Sequence, residues 1–197
     1  MKRKIERQDI LSERDYLAVR NEKKTEIISL KKSRRIFVGP FITFFFESYE
    51  TLWWQIHEML RIEKGGEDQI KDELFAYNPL IPQGEELVAT MMIELGNPIE
   101  RAEMLSKLGH IEQMVQFRFG GHTITATPED DQERTTKDGK TSAVHFLRWH
   151  FTKDQIALFS QANEDIILEI THPSYTYKQL LSEENRQVLM KDFGINF

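Results

Sequence analysis

Gly139-Lys140-Thr141-Ser142, followed closely by His145, Arg148 and His150, gathers more reactive side chains than any other stretch of the chain. Two chemistries come to mind, a phosphate-cradling loop and a proton-transfer cluster. The nucleotide loop requires G-x-x-x-x-G-K-[ST] between a strand and a helix, so that backbone amides and the helix dipole converge on phosphate. Arg134 occupies the position of the first glycine, and the residues after Ser142 read as a strand. Asp138-Gly139 is therefore read as a turn, and nucleotide binding is not expected there.

The remaining motifs fail at positions their mechanisms require. His57-Glu58-Met59-Leu60 begins like the zinc-protease helix H-E-x-x-H, but Arg61 stands in place of the second ligand, where a cation would repel the metal. A di-iron bundle needs two helical E-x-x-H pairs. The single one here, Glu169 to His172, lies at a strand end before Pro173. No G-x-S-x-G nucleophile elbow occurs. His110, His122, His145, His150 and His172 share no repeated ligand spacing, so neither a metal site nor a cofactor is expected. Trp53 and Trp54 could offer a stacking platform, although aromatic residues at helical spacing usually face a core.

These residues must be positioned by elements that the chain announces clearly. Ser12 and Asp15 open a helix running to about Leu30. Ile36 to Val38 and Phe41 to Phe46 form a hairpin across Gly39-Pro40, and Ser48 caps a helix over Tyr49 to Lys64 that Gly65-Gly66 ends. A short helix covers about Glu67 to Tyr77. Alternating side chains make Glu86 to Leu95 a strand. Asn97-Pro98 starts a helix that Gly109 closes. Gly120-Gly121 joins the strands Glu112 to Phe119 and His122 to Thr127, in a register pairing Phe119 with His122 and Phe117 with Ile124. After a charged loop to Lys140 come a strand over Ser142 to Phe151, a helix boxed by Thr152 and Gln155, a strand over Ile166 to Ile170, and a helix from Ser182 to near Gly194. This irregular order excludes a doubly wound sheet. The expected fold is α+β, a mainly antiparallel sheet with helices packed on one side and a helical N-terminal third. One domain is expected over 1–197, helical and hairpin-bearing to about residue 82 and strand-rich beyond it.

Composition narrows the setting. The absence of cysteine excludes disulfides, thiolate catalysis and cysteine-ligated metal within this chain. Ile36 to Phe46 is the longest mostly apolar run, interrupted by Gly39-Pro40 and shorter than the roughly 20 residues a membrane-spanning helix needs. Basic residues at the N-terminus are followed by no apolar core, so no secretory signal is read, and a bacterial-type cytosol is the simplest location. The first 35 residues hold 12 Lys or Arg against 6 Asp or Glu, while the remainder holds 14 against 26. Lys31, Lys32, Arg34 and Arg35 could neutralise RNA phosphates. They also fit a helix C-terminus and a charged edge strand, and in an acidic chain that reading takes precedence, so a nucleic-acid partner is not expected.

Three segments, FFFESYETLWWQIHEMLRIE, AYNPLIP and GKTSAVHFLRWHF, in this order and spacing, resemble a bacterial family of unknown function, family 3501 among the domains of that kind. The likeness spans nearly the whole chain. It implies no activity, cofactor or catalytic residue, but it implies a context, an accessory role beside rubrerythrin-like or iron-sulfur redox proteins. It also implies that glutamine is common where this chain has His57, which argues against His57 as a required ligand.

From the residues themselves the leading expectation is a non-catalytic binding or accessory protein, because no catalytic constellation passes its geometry test. The alternative is a binder of a small anion, or an enzyme, using the sheet. Strand alternation puts His145, Leu147, Trp149 and Phe151 on a core face and Val144, Phe146, Arg148 and His150 on the other. A pocket is sought on that second face, where Arg148 is a fork donor for a carboxylate or phosphate and His150 is of a type that exchanges protons near neutral pH. Arg118 is expected to join them from the hairpin. Glu58 and Arg61 form a helix-surface pair or orient a ligand.

Overall fold

The computed structural model describes residues 2–129, 134–136, 138–161 and 164–195. In chain order the elements are α1 (Glu13–Ser33), β1 (Arg35–Val38), β2 (Ile42–Phe46), α2 (Tyr49–Glu63), α3 (Gly66–Tyr77), β3 (Glu86–Ile93), α4 (Pro98–Lys107), β4 (Val115–Phe119), β5 (His122–Thr125), β6 (Thr127–Pro128), β7 (Val144–His150), α5 (Lys153–Phe159), β8 (Ile167–His172), β9 (Tyr175–Leu180) and α6 (Glu183–Met190). The architecture is α+β with antiparallel pairing throughout.

The helices start where their caps dictate. The side chains of Ser12, Ser48, Asn97, Thr152 and Ser182 each accept a hydrogen bond from a first-turn amide. Thr152 and Gln155 form the reciprocal box that their spacing predicts, and Ser48 does the same with Thr51. Lys64, in the left-handed region at φ 56°, stops α2.

The strands divide into two sheets, where a single main sheet was expected. One has the order β1-β2-β3-β7-β6 and the other β5-β4-β8-β9. Their inner faces share one core, in which the Phe117 ring of the second sheet meets Trp149 of the first at 5.2 Å in a T-shaped contact. Phe44, Phe46, Leu87, Met91 and Leu147 complete the inner face of the first sheet, and all are buried. His145, Leu147, Trp149 and Phe151 lie on this side as alternation requires. Phe159 of α5 and Leu189 and Met190 of α6 join the same core.

A second apolar cluster covers the outer face of the first sheet, where Leu52 and Ile56 of α2, Ile70 of α3, Leu80 and Ile81 meet Val88. Strand β3 is thus buried on both faces, which explains its nearly unbroken apolar sequence. Tyr16 and Ile27 of α1 close over Trp54 in a third, smaller cluster.

Two further expectations need correction. Ile111–Gln113 is a short 3-10 turn, so strand β4 begins at Val115, several residues after the expected start at Glu112. Strand β9 was not anticipated, because its side chains are exposed apart from Tyr175 and give no clear apolar alternation. The β4–β5 hairpin has the expected register, Phe119 opposite His122 and Phe117 opposite Ile124.

Candidate ligand cleft

The outer face of the first sheet carries a transverse row of side chains set by strand register. Phe45 of β2 lies opposite Thr90 of β3, which lies opposite Phe146 of β7. Met92 is two residues beyond Thr90 on the same face. Helices α2 and α3 cover part of this face and leave a cleft of about 360 Å³, within the range typical of small-molecule sites. Its apolar surface comes from Phe45, Leu80, Met92 and Phe146.

Glu47 projects into this cleft from the junction between β2 and α2. Its carboxylate accepts hydrogen bonds from the Thr51 hydroxyl, on the first turn of α2, and the Thr90 hydroxyl, each at 2.7 Å. The two donors approach different oxygens and fix the orientation of the group. Gln55 and Tyr77 stand on the helical wall. Burial raises the Tyr77 phenol above its usual value, the charge of Glu73 adds to the rise, and Gln55 opposes it. The phenol serves there as a neutral hydrogen-bonding group.

Cations also line the cleft. Arg34 is buried and committed, forming an ion pair with Asp192 and donating to the carbonyls of Phe46 at 2.9 Å and Glu47 at 2.6 Å. Lys31 and Arg35 are different. Neither forms an ion pair among the described residues, and Arg35 only stacks over the Phe45 ring at 4.9 Å. The basic run Lys31 to Arg35 is therefore not a uniform surface patch, since one of its arginines is a structural cation.

Beyond the basic run, the candidate residues from the sequence fall in three separate places, none of them in this cleft. Arg148 points outward from β7, as alternation requires, but its guanidinium already pairs with Glu86 and, at 2.7 Å, with Glu129, and it donates to the Pro79 carbonyl. His150 is exposed nearby, its Nδ1 3.4 Å from Glu86. Arg118 does not join them. It belongs to the other sheet and pairs with Glu169 at 3.4 Å, because β4 and β7 are not neighbours. Glu58 and Arg61 sit on α2, where Glu58 accepts from Tyr16 and from two nitrogens of Arg20, each at 2.8 Å, and from Arg61 at 3.2 Å. These donors, Arg20 foremost, hold the Glu58 carboxyl down to about 2. Arg61 and His57 border a second cavity of about 400 Å³ between the start of α1 and α2–α3.

His57 is a structural residue. Its Nδ1 donates to the Trp53 carbonyl at 2.8 Å, and its Nε2 accepts from the Leu11 amide at 3.0 Å. His145 is also buried, with Nε2 donating to the Ser142 carbonyl at 2.9 Å. Among the described residues, no group of three or more His, Asp or Glu is arranged to hold a metal.

Glu47, Thr51, Thr90 and Tyr77 were not anticipated, and Lys31 and Arg35 were weighed for function only as contacts to RNA phosphates. Each lay in plain view, Glu47 directly before a helix cap and Thr90 at a polar position of an otherwise apolar strand. What joins them is the β2–β3 pairing, which brings residues 43 apart in sequence into one hydrogen bond.

The family model described as a protein of unknown function, DUF3501, matches residues 4–193. The chain belongs to this family. It is also similar to a novel protein of unknown function from Burkholderia pseudomallei K96243, known from a crystal structure, with 34% identity and a TM-score of 0.87 over 95% of this chain and 98% of that one. None of the curated proteins matches the chain. As a DUF3501 member it has a fold that extends, with little change, to a relative of quite different sequence.

Proposed function

We infer that this DUF3501 protein is a non-catalytic binding protein whose ligand is a small organic molecule held in the cleft over the outer face of the first sheet. The observation that carries this reading is the Glu47 carboxylate, oriented by Thr51 and Thr90 inside a concavity with an apolar floor. Sites of this kind combine a largely apolar lining with a few fixed polar groups. The Thr51 and Thr90 hydroxyls that donate to Glu47 serve to orient its carboxylate, and no histidine lines the cleft among the described residues, which favours binding over turnover. A competing anion site at Arg148 and His150 would have to displace Glu86 and Glu129 from the guanidinium. Thermal unfolding in the presence of a panel of aromatic and aliphatic acids, amines and amino acids tests the reading. Compounds should raise the melting temperature of the native protein but not of Met92→Trp, which fills the cleft. A panel without a single such compound overturns it.

The accessory role beside a redox enzyme is a proposal about context, supported by the family resemblance alone. Pull-down from a native lysate tests it, with a reproducible oxidoreductase partner as the supporting result.

A further inference from the structure

Glu47 presents a negative charge that no described cation neutralises. The buried guanidinium of Arg34 reaches only the Glu47 main-chain carbonyl and gives its charge to Asp192. Both carboxylate oxygens of Glu47 receive a hydroxyl hydrogen bond, and each keeps a further lone-pair direction for another donor. The same cleft holds two cations, Lys31 and Arg35, that have no carboxylate partner among the described residues and do not pair with Glu47. Charges of both signs thus line one concavity without neutralising each other. A simple anion would leave Glu47 uncompensated and face its repulsion, while a simple amine would meet Lys31 and Arg35 in the same way.

We propose that the cleft takes a zwitterion of the α-amino-acid type with an apolar side chain, its ammonium on Glu47, its carboxylate toward Lys31 and Arg35, and its side chain on Phe45, Met92 and Phe146. This rests on the binding reading above and gives that ligand its chemical class. The ammonium has three donors, of which Glu47 can take one or two, and the wall groups Gln55 and Tyr77 offer acceptors for the rest. The aromatic floor suits a flat or branched apolar side chain, and Arg35 is already held over the Phe45 ring, so its guanidinium needs little reordering to meet a carboxylate.

Calorimetric titration with three matched probes tests the assignment: L-phenylalanine, phenethylamine, which lacks the carboxylate, and 3-phenylpropionate, which lacks the ammonium. L-phenylalanine should bind about tenfold or more tightly than either half-molecule, since each retains one charge-assisted contact and loses the other. Glu47→Gln should weaken L-phenylalanine and phenethylamine by about tenfold and leave 3-phenylpropionate unchanged or improved. Lys31→Gln/Arg35→Gln should do the reverse. Both variants are compared with the native protein by circular dichroism, and the probe-to-probe ratio within one variant is insensitive to a shared loss of folded protein. Equal or tighter binding of 3-phenylpropionate, unaffected by Glu47→Gln, overturns the zwitterion assignment while leaving the cleft a binding site. Failure of all three probes while other compounds bind in a Met92-dependent way does the same. If no compound of any class binds, the binding reading itself falls.

Discussion

At the scale of single residues, His57 shows how hydrogen-bond geometry fixes a protonation state. Its Nε2 accepts from the Leu11 amide, so a proton on that nitrogen would face another donor, and burial also lowers its pKa from the ordinary 6.5. The unfolded chain therefore takes up this proton at a higher pH than the folded one does. His57 thus contributes stability that is intact above about 6.5 and is lost as the pH falls from there toward the lower folded value. Asp192 works in the opposite direction over nearby pH, because burial lifts its carboxyl to about 6 and the folded chain then takes up a proton the unfolded chain does not. Glu58, held down to about 2, acts well below this window. The difference between two proteins isolates His57 better than either pH profile alone. His57→Gln offers a neutral acceptor to Leu11. Its stability in urea between pH 7 and 5 should fall less steeply than that of the native protein, by up to about 1.4 kcal/mol per pH unit, the limit for one proton. Identical profiles would show that His57 takes up its proton over the same pH range in the folded and unfolded chains.

At the scale of elements, the connection between Arg34 at the end of α1 and Asp192 after α6 joins distant parts of the chain inside the protein. Both side chains are almost fully buried. Arg34→Met removes the cation and leaves the Asp192 carboxylate without compensation, which should reduce unfolding stability by about 3–5 kcal/mol at neutral pH. Arg34→Met combined with Asp192→Leu removes both charges, and should recover most of that loss. Urea denaturation of the two variants measures this. A double variant as unstable as the single one would assign the loss to the Arg34 hydrogen bonds with Phe46 and Glu47 instead of to charge. This pair also marks where sequence reading stops. The helix caps at Ser12, Ser48, Asn97, Thr152 and Ser182 and the Gly120-Gly121 hairpin depend on residues a few positions apart, so their chemistry is legible locally. Arg34 looked like a surface charge at an edge strand because its partner lies 158 residues away. The division into two sheets was hidden for the same reason, as was the Thr51–Glu47–Thr90 arrangement. The outward face of β7 borders the cleft through Phe146, while Arg148 on that face is paired with carboxylates and lies outside it.

For the whole molecule, the decisive feature is that β3 belongs to two cores at once. Leu87, Ala89 and Met91 face the second sheet, while Val88 meets Leu52 and Ile56 of α2. Detaching the helical layer would expose apolar surface on both α2 and β3 and would also open the lid of the cleft, since Thr51 and Gln55 of α2 form part of its wall. The Arg34–Asp192 pair opposes such detachment from the far end of α1, because separating the pair would leave a buried charge without its partner. The helices and the sandwich should therefore open together. Native-state hydrogen exchange provides the check: amides within α2 and β3 should report opening free energies equal within about 1 kcal/mol, both at the level of global unfolding. Exchange of α2 through an opening several kcal/mol cheaper, with β3 still protected, would mean that the helical layer undocks by itself. The cleft would then be gated by that motion, and a ligand bound between Glu47 and the sheet should slow α2 exchange selectively, because it would bind only the docked form.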